Sequence, residues 1–381
     1  MKVVIAIDSF KGCIGSRALS ECVEEGIKVI YPNAVVEAFE VADGGEGTVQ
    51  AMVDNTNGEI VTCKAHDPLM NLIDAHYGIL GDGKTAIIEM AAASGLPLVP
   101  SHLRNPRIAT TFGVGELIKD ALDKGCRNFI VGIGGSATND AGLGMLQALG
   151  FRFLDDAGKD VGLGGDALGK IARIESAMTL SALKESRFTI ACDVDNPMYG
   201  ERGAAHIYGK QKGASSADIL ILDANVKHFT EVIEQQLHKN VAHIAGSGAA
   251  GALGGGFLAF LNATLQPGID MVLDTIHFEE HIKDAQFVIT GEGKIDAQSA
   301  MGKVISGIAK RCMKHKVPLL AFAGNVEESA KVLHEHGVAA LFSIMHAPIS
   351  LEEAMGEAKT KGLMKQAVEE VFRVIKVASG K

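Results

Sequence analysis

Apolar runs alternating with amphipathic helical stretches at both ends of the chain constrain the fold more than any other feature. "KVVIAI" (Lys2–Ile7) is a continuous apolar run of strand length. In the following "SRALSECVEEGIKVI", Ala18, Leu19, Cys22, Val23, Ile27 and Ile30 recur at helical spacing. A second strand, "VVEAFEV" (Val35–Val41), comes next. Beyond Gln286 the pattern resumes with strand "FVIT", helix Ser299–His315, strand "VPLLAFA", helix Glu327–His336, strand "ALFSIM" and a long terminal helix. Strands covered on both faces read as unbroken apolar runs, and helices between them supply crossovers, so these segments predict a parallel, doubly wound sheet. Pooled, the two ends make a five-stranded, flavodoxin/Rossmann-like domain over 1–66 plus 286–381. From about residue 60 to 185, strands follow one another closely with turn signals between them. Residues 67–285 therefore predict a mixed α/β domain inserted into the first, and the class is α/β.

The charge balance narrows the partners. A net charge of −10 opposes nucleic acid, whose phosphate backbone needs a basic face. The six cysteines are scattered with no C-x-x-C pair, and the opening residues read as a buried strand with no secretory leader, so a reducing, cytoplasmic setting is expected. Ile244–Ile269 carries no charge, but six glycines between Gly246 and Gly256, with Asn262 and Pro267, interrupt it, which predicts a glycine loop and a helix with no membrane span. A small-molecule substrate is the partner that remains, with no nucleic acid and no membrane.

Residues 78–85, "GILGDGKT", satisfy the G-x-x-x-x-G-K-[ST] phosphate-loop pattern letter for letter. A working phosphate loop follows a buried strand and opens into a helix whose N–H groups hold the phosphates. Here β-like runs stand on both sides, "HYGIL" before and "AIIEM" after, so Gly81–Lys84 predicts a hairpin turn.

Better anion sites are expected where ligands bind open α/β sheets, beyond the carboxyl ends of the strands. The loops there are "DSFKG" (Asp8–Gly12), "ADGGEGT" (Ala42–Thr48), "GEGKID" (Gly291–Asp296) and "AGN" (Ala323–Asn325). Lys11 and Lys294 would supply positive charge, and Asp43 and Asp296 metal ligands or a base. In the inserted region, "VGIGGSATNDAGLGML" reads as strand, glycine turn and helix, with Ser136, Thr138 and Asn139 able to cap that helix or hold a phosphate. "ACDVDNP" puts Asp193 and Asp195 after the strand "RFTIA", as Mg²⁺ ligands or turn residues. "YGKQKGA" offers Lys210 and Lys212 as phosphate contacts or solvent lysines, and "AGSGAAGALGGGF" suits close backbone approach by a ligand. No H-E-x-x-H or G-x-S-x-G occurs, which leaves zinc and serine hydrolases without support.

Taken together and in order, "DSFKG", "VADGGEGT", "AAASGL", "GVGELI", "GIGGSATNDAG", "CDVDNP", "GKQKGA" and "VITGEGKIDAQS" resemble the bacterial glycerate kinase family, type I and glycerate 2-kinase-like. The resemblance spans the chain from Asp8 to beyond Ser299, with departures beside the motifs, among them Ala6-Ile7 ahead of Asp8 and "GCIGS" after Lys11. It implies ATP-dependent phosphorylation of D-glycerate, with Mg²⁺, on α/β domains that lack a phosphate loop of the Walker kind. The product implied is 2-phosphoglycerate, with 3-phosphoglycerate as the other assignment, in sugar-acid catabolism.

Phosphoryl transfer asks a protein mainly for positioning and for charge around the moving group. On that reading Lys11 and Lys294 meet phosphate or the substrate carboxylate, and Asp193 is the base or metal ligand, with Asp43 and Asp296 as alternatives. Gly134, Gly135 and Ser136, together with Gly291, Glu292, Gly293 and Lys294, would lie against the nucleotide or substrate. Two other readings are a phosphate-loop kinase using Lys84 and a non-catalytic protein that binds a phosphorylated metabolite. A homodimer is compatible with all three.

Overall fold

The computed structural model describes residues 1–42, 44–45, 47–300 and 303–380. Its strands, in chain order, are β1 (Lys2–Ile7), β2 (Val35–Glu40), β3 (Glu59–His66), β4 (Leu72–Ile79) and β5 (Thr85–Glu89). They continue with β6 (Asn128–Gly132), β7 (Arg152–Leu154), β8 (Arg173–Glu175), β9 (Arg187–Ala191) and β10 (Thr264–Gln266). The last are β11 (Phe287–Ile295), β12 (Leu319–Val326) and β13 (Val338–Ser343). The chain forms two compact units, Met1–Asp43 with Ile269–Lys381, and Gly44–Gly268. The divisions fall at 43/44 and 268/269, whereas the sequence pattern suggested 66/67 and 285/286. The difference at the first boundary is the helix Thr48–Thr56 and β3, and β3 pairs antiparallel with β4 and takes no part in the parallel sheet.

The first unit is built on a five-stranded sheet in the order β13-β12-β11-β1-β2, parallel throughout. Val3 to Ile7 of β1 are fully buried, as a central strand covered on both faces requires. The helix Ser16–Ile30 buries Leu19, Val23, Ile27 and Ile30 along one side. A mid-helix glycine costs about 1 kcal/mol relative to alanine, and Gly26 accepts that cost for a close crossing. A Cβ there would stand 2.9 Å from the Lys365 carbonyl oxygen of the helix Glu357–Ala378. From β1 the chain runs outward to β2 and returns on the opposite side as β11, so the order reverses between β1 and β11. In open parallel sheets that reversal opens a crevice at the carboxyl ends of the strands.

The second unit carries a six-stranded mixed sheet, β10-β9-β6-β5-β4-β3, and a small antiparallel pair, β7-β8. The β3–β4 and β4–β5 pairs are antiparallel, and the rest of the larger sheet is parallel. The turn 80–84 joins β4 to β5 as a hairpin: Leu80 N donates to Thr85 O at 2.9 Å and Asp82 Oδ1 accepts from Lys84 N and Thr85 N at 2.8 Å each. A strand, and no helix, follows Lys84. The glycines of 245–257 meet protein. A Cβ on Gly251 would stand 2.1 Å from Thr138 O, one on Gly256 2.4 Å from Ala141 O, and one on Gly255 2.3 Å from Met198 Sδ. Among the described residues no helix is long and apolar enough to cross a membrane.

Candidate active site

In the first unit a pocket of about 610 Å³ opens over the carboxyl ends of β1, β11, β12 and β13. Asp8 and Ser9 reach it directly after β1, and Lys11 follows from the same loop. The strand β11 contributes Glu292, Gly293 and Lys294, while Asn325 comes from β12. The sequence suggested a loop over Gly291–Asp296, but Gly291, Glu292 and Lys294 are strand residues paired with Phe322, Ala323 and Asn325. That pairing explains Gly291, whose Cβ would stand 2.3 Å from Phe322 O.

Glu292 is the group whose chemistry the pocket alters most. Its carboxylate accepts from Ser299 Oγ at 3.1 Å and from the backbone N–H of Ile305, in the first turn of the helix Val304–His315. Those donors favour the ionised form, as does the Lys303 ammonium. Burial opposes them and is the larger influence, with the charge of Asp8 adding to it, so the carboxyl is pushed up to about 7. Such a group exchanges a proton at neutral pH.

The other residues singled out at this edge have more ordinary surroundings. Lys294 is exposed and its ammonium lies 2.7 Å from Glu327 and 3.4 Å from Asp296. Asp296 Oδ1 accepts from Gln298 N at 2.8 Å, which, with Lys294, holds its carboxyl below the usual range. It thus caps the turn Ala297–Ala300 as an ion, an arrangement poorly suited to a base. Asp43 lies outside the described residues.

The second unit brings together a different set. After β6 the exposed Gly134 and Gly135 lead into Ser136, and the loop is pinned by Leu96 N to Gly135 O at 2.8 Å and Ala137 N to Ser94 O at 2.9 Å. Behind it lies Lys212, only 2% exposed, whose Nζ donates to Ser136 Oγ and to Thr138 O at 2.7 Å each. Burial pulls its ammonium down to about 7, with nearby Asp140 acting the other way. A neutral amine has two N–H donors, and both acceptors match them.

Asp140 is fully buried and organises the helix start that the sequence assigned to Ser136, Thr138 and Asn139. It accepts from Thr111 N at 2.8 Å, Thr111 Oγ1 at 2.9 Å, Gly142 N at 3.2 Å and Gly144 N at 3.3 Å. Burial raises its carboxyl against the pull of these donors. Thr138 Oγ1 and both amide atoms of Asn139 are buried without a hydrogen-bond partner, so neither side chain caps the helix Leu143–Ala148. Asp193, exposed after β9, accepts from Gly268 N at 3.0 Å, and Asp195 pairs with Arg202 at 2.9 Å on the surface. Among the described residues no three histidines, cysteines or carboxylates converge as a metal cluster.

Asp140 was missed as a site residue, and Lys212, offered as a phosphate contact or a solvent lysine, is instead buried and holds the Ser136 loop from behind. A 3₁₀ turn exposes Lys210 and buries Lys212, and no local period separates the two. Asp140 did leave a signal: glycines follow it at the second and fourth positions, where unshielded N–H groups can turn back to one carboxylate.

Residues 3–376 match the glycerate kinase family. The chain is 46% identical over 378 residues to a glycerate kinase of Bacillus subtilis, covering 99% of this chain and 98% of that one. It is also 46% identical over 354 residues to a glycerate 2-kinase of Escherichia coli, covering 93% of each. The crystal structure of a putative glycerate kinase 2 from Salmonella typhimurium superposes with a TM-score of 0.91 at 40% identity, covering both chains completely. The chain belongs to the glycerate kinase family.

Proposed function

We propose that this chain transfers a phosphoryl group from ATP to glycerate, giving 2-phosphoglycerate, with Mg²⁺, in sugar-acid catabolism. The observation that carries the reading is the pocket over the parallel sheet. Lysine side chains and a carboxyl that titrates near neutrality meet there at the edge where open α/β sheets take ligands. The choice of the 2-hydroxyl is supported by the name of the Escherichia coli relative.

Bound ATP with Mg²⁺ would supply the phosphoryl group and positive charge to offset the negative charge that develops on it. Mg²⁺ keeps water and phosphate oxygens and takes one or two carboxylates from a protein, so no dense cluster is needed. The exposed Asp193 is our candidate carboxylate. Lys11 and Lys303 bring charge to the anionic groups, Glu292 accepts the proton of the attacking hydroxyl, and the Gly134–Ser136 loop offers backbone to substrate or phosphate.

A coupled assay of ADP release with D-glycerate tests the activity, and phosphorus NMR of the product distinguishes the hydroxyls. ADP release should depend on glycerate, and release no faster than in buffer would sink the reading. Asp193→Asn should lower turnover by about two orders of magnitude or more with the melting curve unchanged.

A further inference from the structure

We propose that the pocket over β1, β11, β12 and β13 is the seat of the nucleoside triphosphate, with its base lying on an apolar wall formed largely by the segment after β13. The inference rests on the kinase reading and adds to it a division of labour between ligands. The strand ends of β1 and β11 and the loop after β1 bring Asp8, Lys11 and Glu292 to the lining. The segment after β13 brings apolar side chains to the lining, Ile344, Met345, Ile349, Leu351 and Met355. Glycerate is small and carries oxygen on every carbon, so it has no surface to set against such a wall. A nucleotide has a flat, weakly polar ring at one end and an anionic chain at the other, and so has a counterpart for both kinds of lining residue. The volume of about 610 Å³ lies within the range that takes drug-sized ligands, far beyond what glycerate fills.

The wall also exposes apolar surface in a way a packed core would not. Leu351 is 78% and Met355 41% exposed, and both line the pocket. Leu351 opens the short helix Leu351–Ala354, which is fixed by a reciprocal cap in which Ser350 Oγ accepts from Glu353 N and the Glu353 carboxylate from Ser350 N. A leucine held rigidly at a pocket rim is a surface prepared for a ligand. The phosphate end would then face Lys11, Lys303 and the backbone at Gly293 and Gly324, beside Glu292.

Calorimetric titration of the intact protein with ADP, without glycerate, tests this directly on Leu351→Glu and Met355→Glu. Both side chains stand in solvent, and melting curves check that the variants fold. The expected result is ADP affinity weakened about tenfold or more in each, with the KM for glycerate at saturating ATP within about two-fold of wild type. ADP affinity unchanged in both variants overturns the proposal, as does a rise in the glycerate KM with nucleotide affinity intact, which would give the pocket to glycerate. The two readings fail separately. Wild-type protein that binds ADP through this wall but phosphorylates no glycerate retains the site and loses the kinase reading. Wild-type protein that phosphorylates glycerate, with variants that bind ADP normally, loses the site alone.

Discussion

The turn after β4 and the loop after β6 are both glycine-rich segments of the second unit that include or meet a lysine, and they are built in opposite ways. The turn closes on itself. Asp82 takes the N–H groups of Lys84 and Thr85 and, at 2.6 Å, the hydroxyl of Thr85, leaving the Lys84 side chain in solvent. The loop is held from a distance: Lys212 reaches Ser136 across 76 positions of sequence, and Asp140 reaches back to Thr111 across 29. Polar groups satisfied locally at the surface have nothing left to offer a ligand. Polar groups buried and held by remote residues keep a backbone segment in one shape, which is what preorganised recognition needs.

Removing Asp140 should break the loop most severely. Asp140→Ala leaves the N–H groups of Thr111, Gly142 and Gly144 without their acceptor in a fully buried place. Each buried group left unsatisfied costs about 1–3 kcal/mol, so a loss of roughly 3–5 kcal/mol in denaturant unfolding is expected. A loss below about 1 kcal/mol would mean that water replaces the carboxylate and that the loop is not held as argued.

Lys212→Met gives a smaller effect with a distinctive pH dependence. With its folded value pulled down to about 7 from 10.5, Lys212 is neutral in the folded chain and charged in the unfolded one between those values. The unfolded chain then binds more protons, so stability rises with pH across that window and is lost as pH falls through about 7. Methionine removes the titration, and the stability difference between wild type and variant should grow by roughly 2 kcal/mol from pH 7 to pH 9. Equal differences at the two pH values would show that Lys212 stays charged.

Why the sequence revealed one of these segments and hid the other follows from where the determinants lie. The hairpin was readable because strand patterns flank it and a Gly-Asp-Gly turn is local. The same locality made β1 and the helix Ser16–Ile30 legible to the residue, since an unbroken apolar run and a clean helical period need no partner to be recognised. Where partners decide, the reading failed. Gly291–Lys294 looked like a loop because glycines dominate it, yet contact with β12 makes it strand. Glu327–His336 has helical periodicity but forms a 3₁₀ helix over Glu328–His334. At the strand ends, sequence alone places Glu292 no more closely than against the nucleotide or substrate, because the burial that raises its carboxyl comes from tertiary packing.

Asp82→Ala sharpens the other side of the comparison. It removes the acceptor for two backbone N–H groups at a wet surface, where water can replace it, so a cost of about 1 kcal/mol is expected. Glycerate phosphorylation should be unchanged, and a fall in turnover without loss of fold would give the hairpin a role in the site.

The smallest effect belongs to Lys84→Ala, which tests the letter-perfect match itself. A phosphate-loop lysine reaches the β- and γ-phosphates, and its loss would abolish nucleotide binding. Lys84 instead contributes through its backbone oxygen, which accepts from Arg127 N at 3.0 Å and Asn128 N at 3.2 Å and so ties the hairpin to the start of β6. Alanine keeps that carbonyl, and the side chain it deletes stands in solvent. Stability should therefore change by less than about 0.5 kcal/mol. ADP affinity by calorimetry should stay within about two-fold of wild type, or roughly 0.4 kcal/mol. A collapse of ADP affinity in this one variant would move the nucleotide from the carboxyl edge of the parallel sheet to a hairpin that opens into no helix.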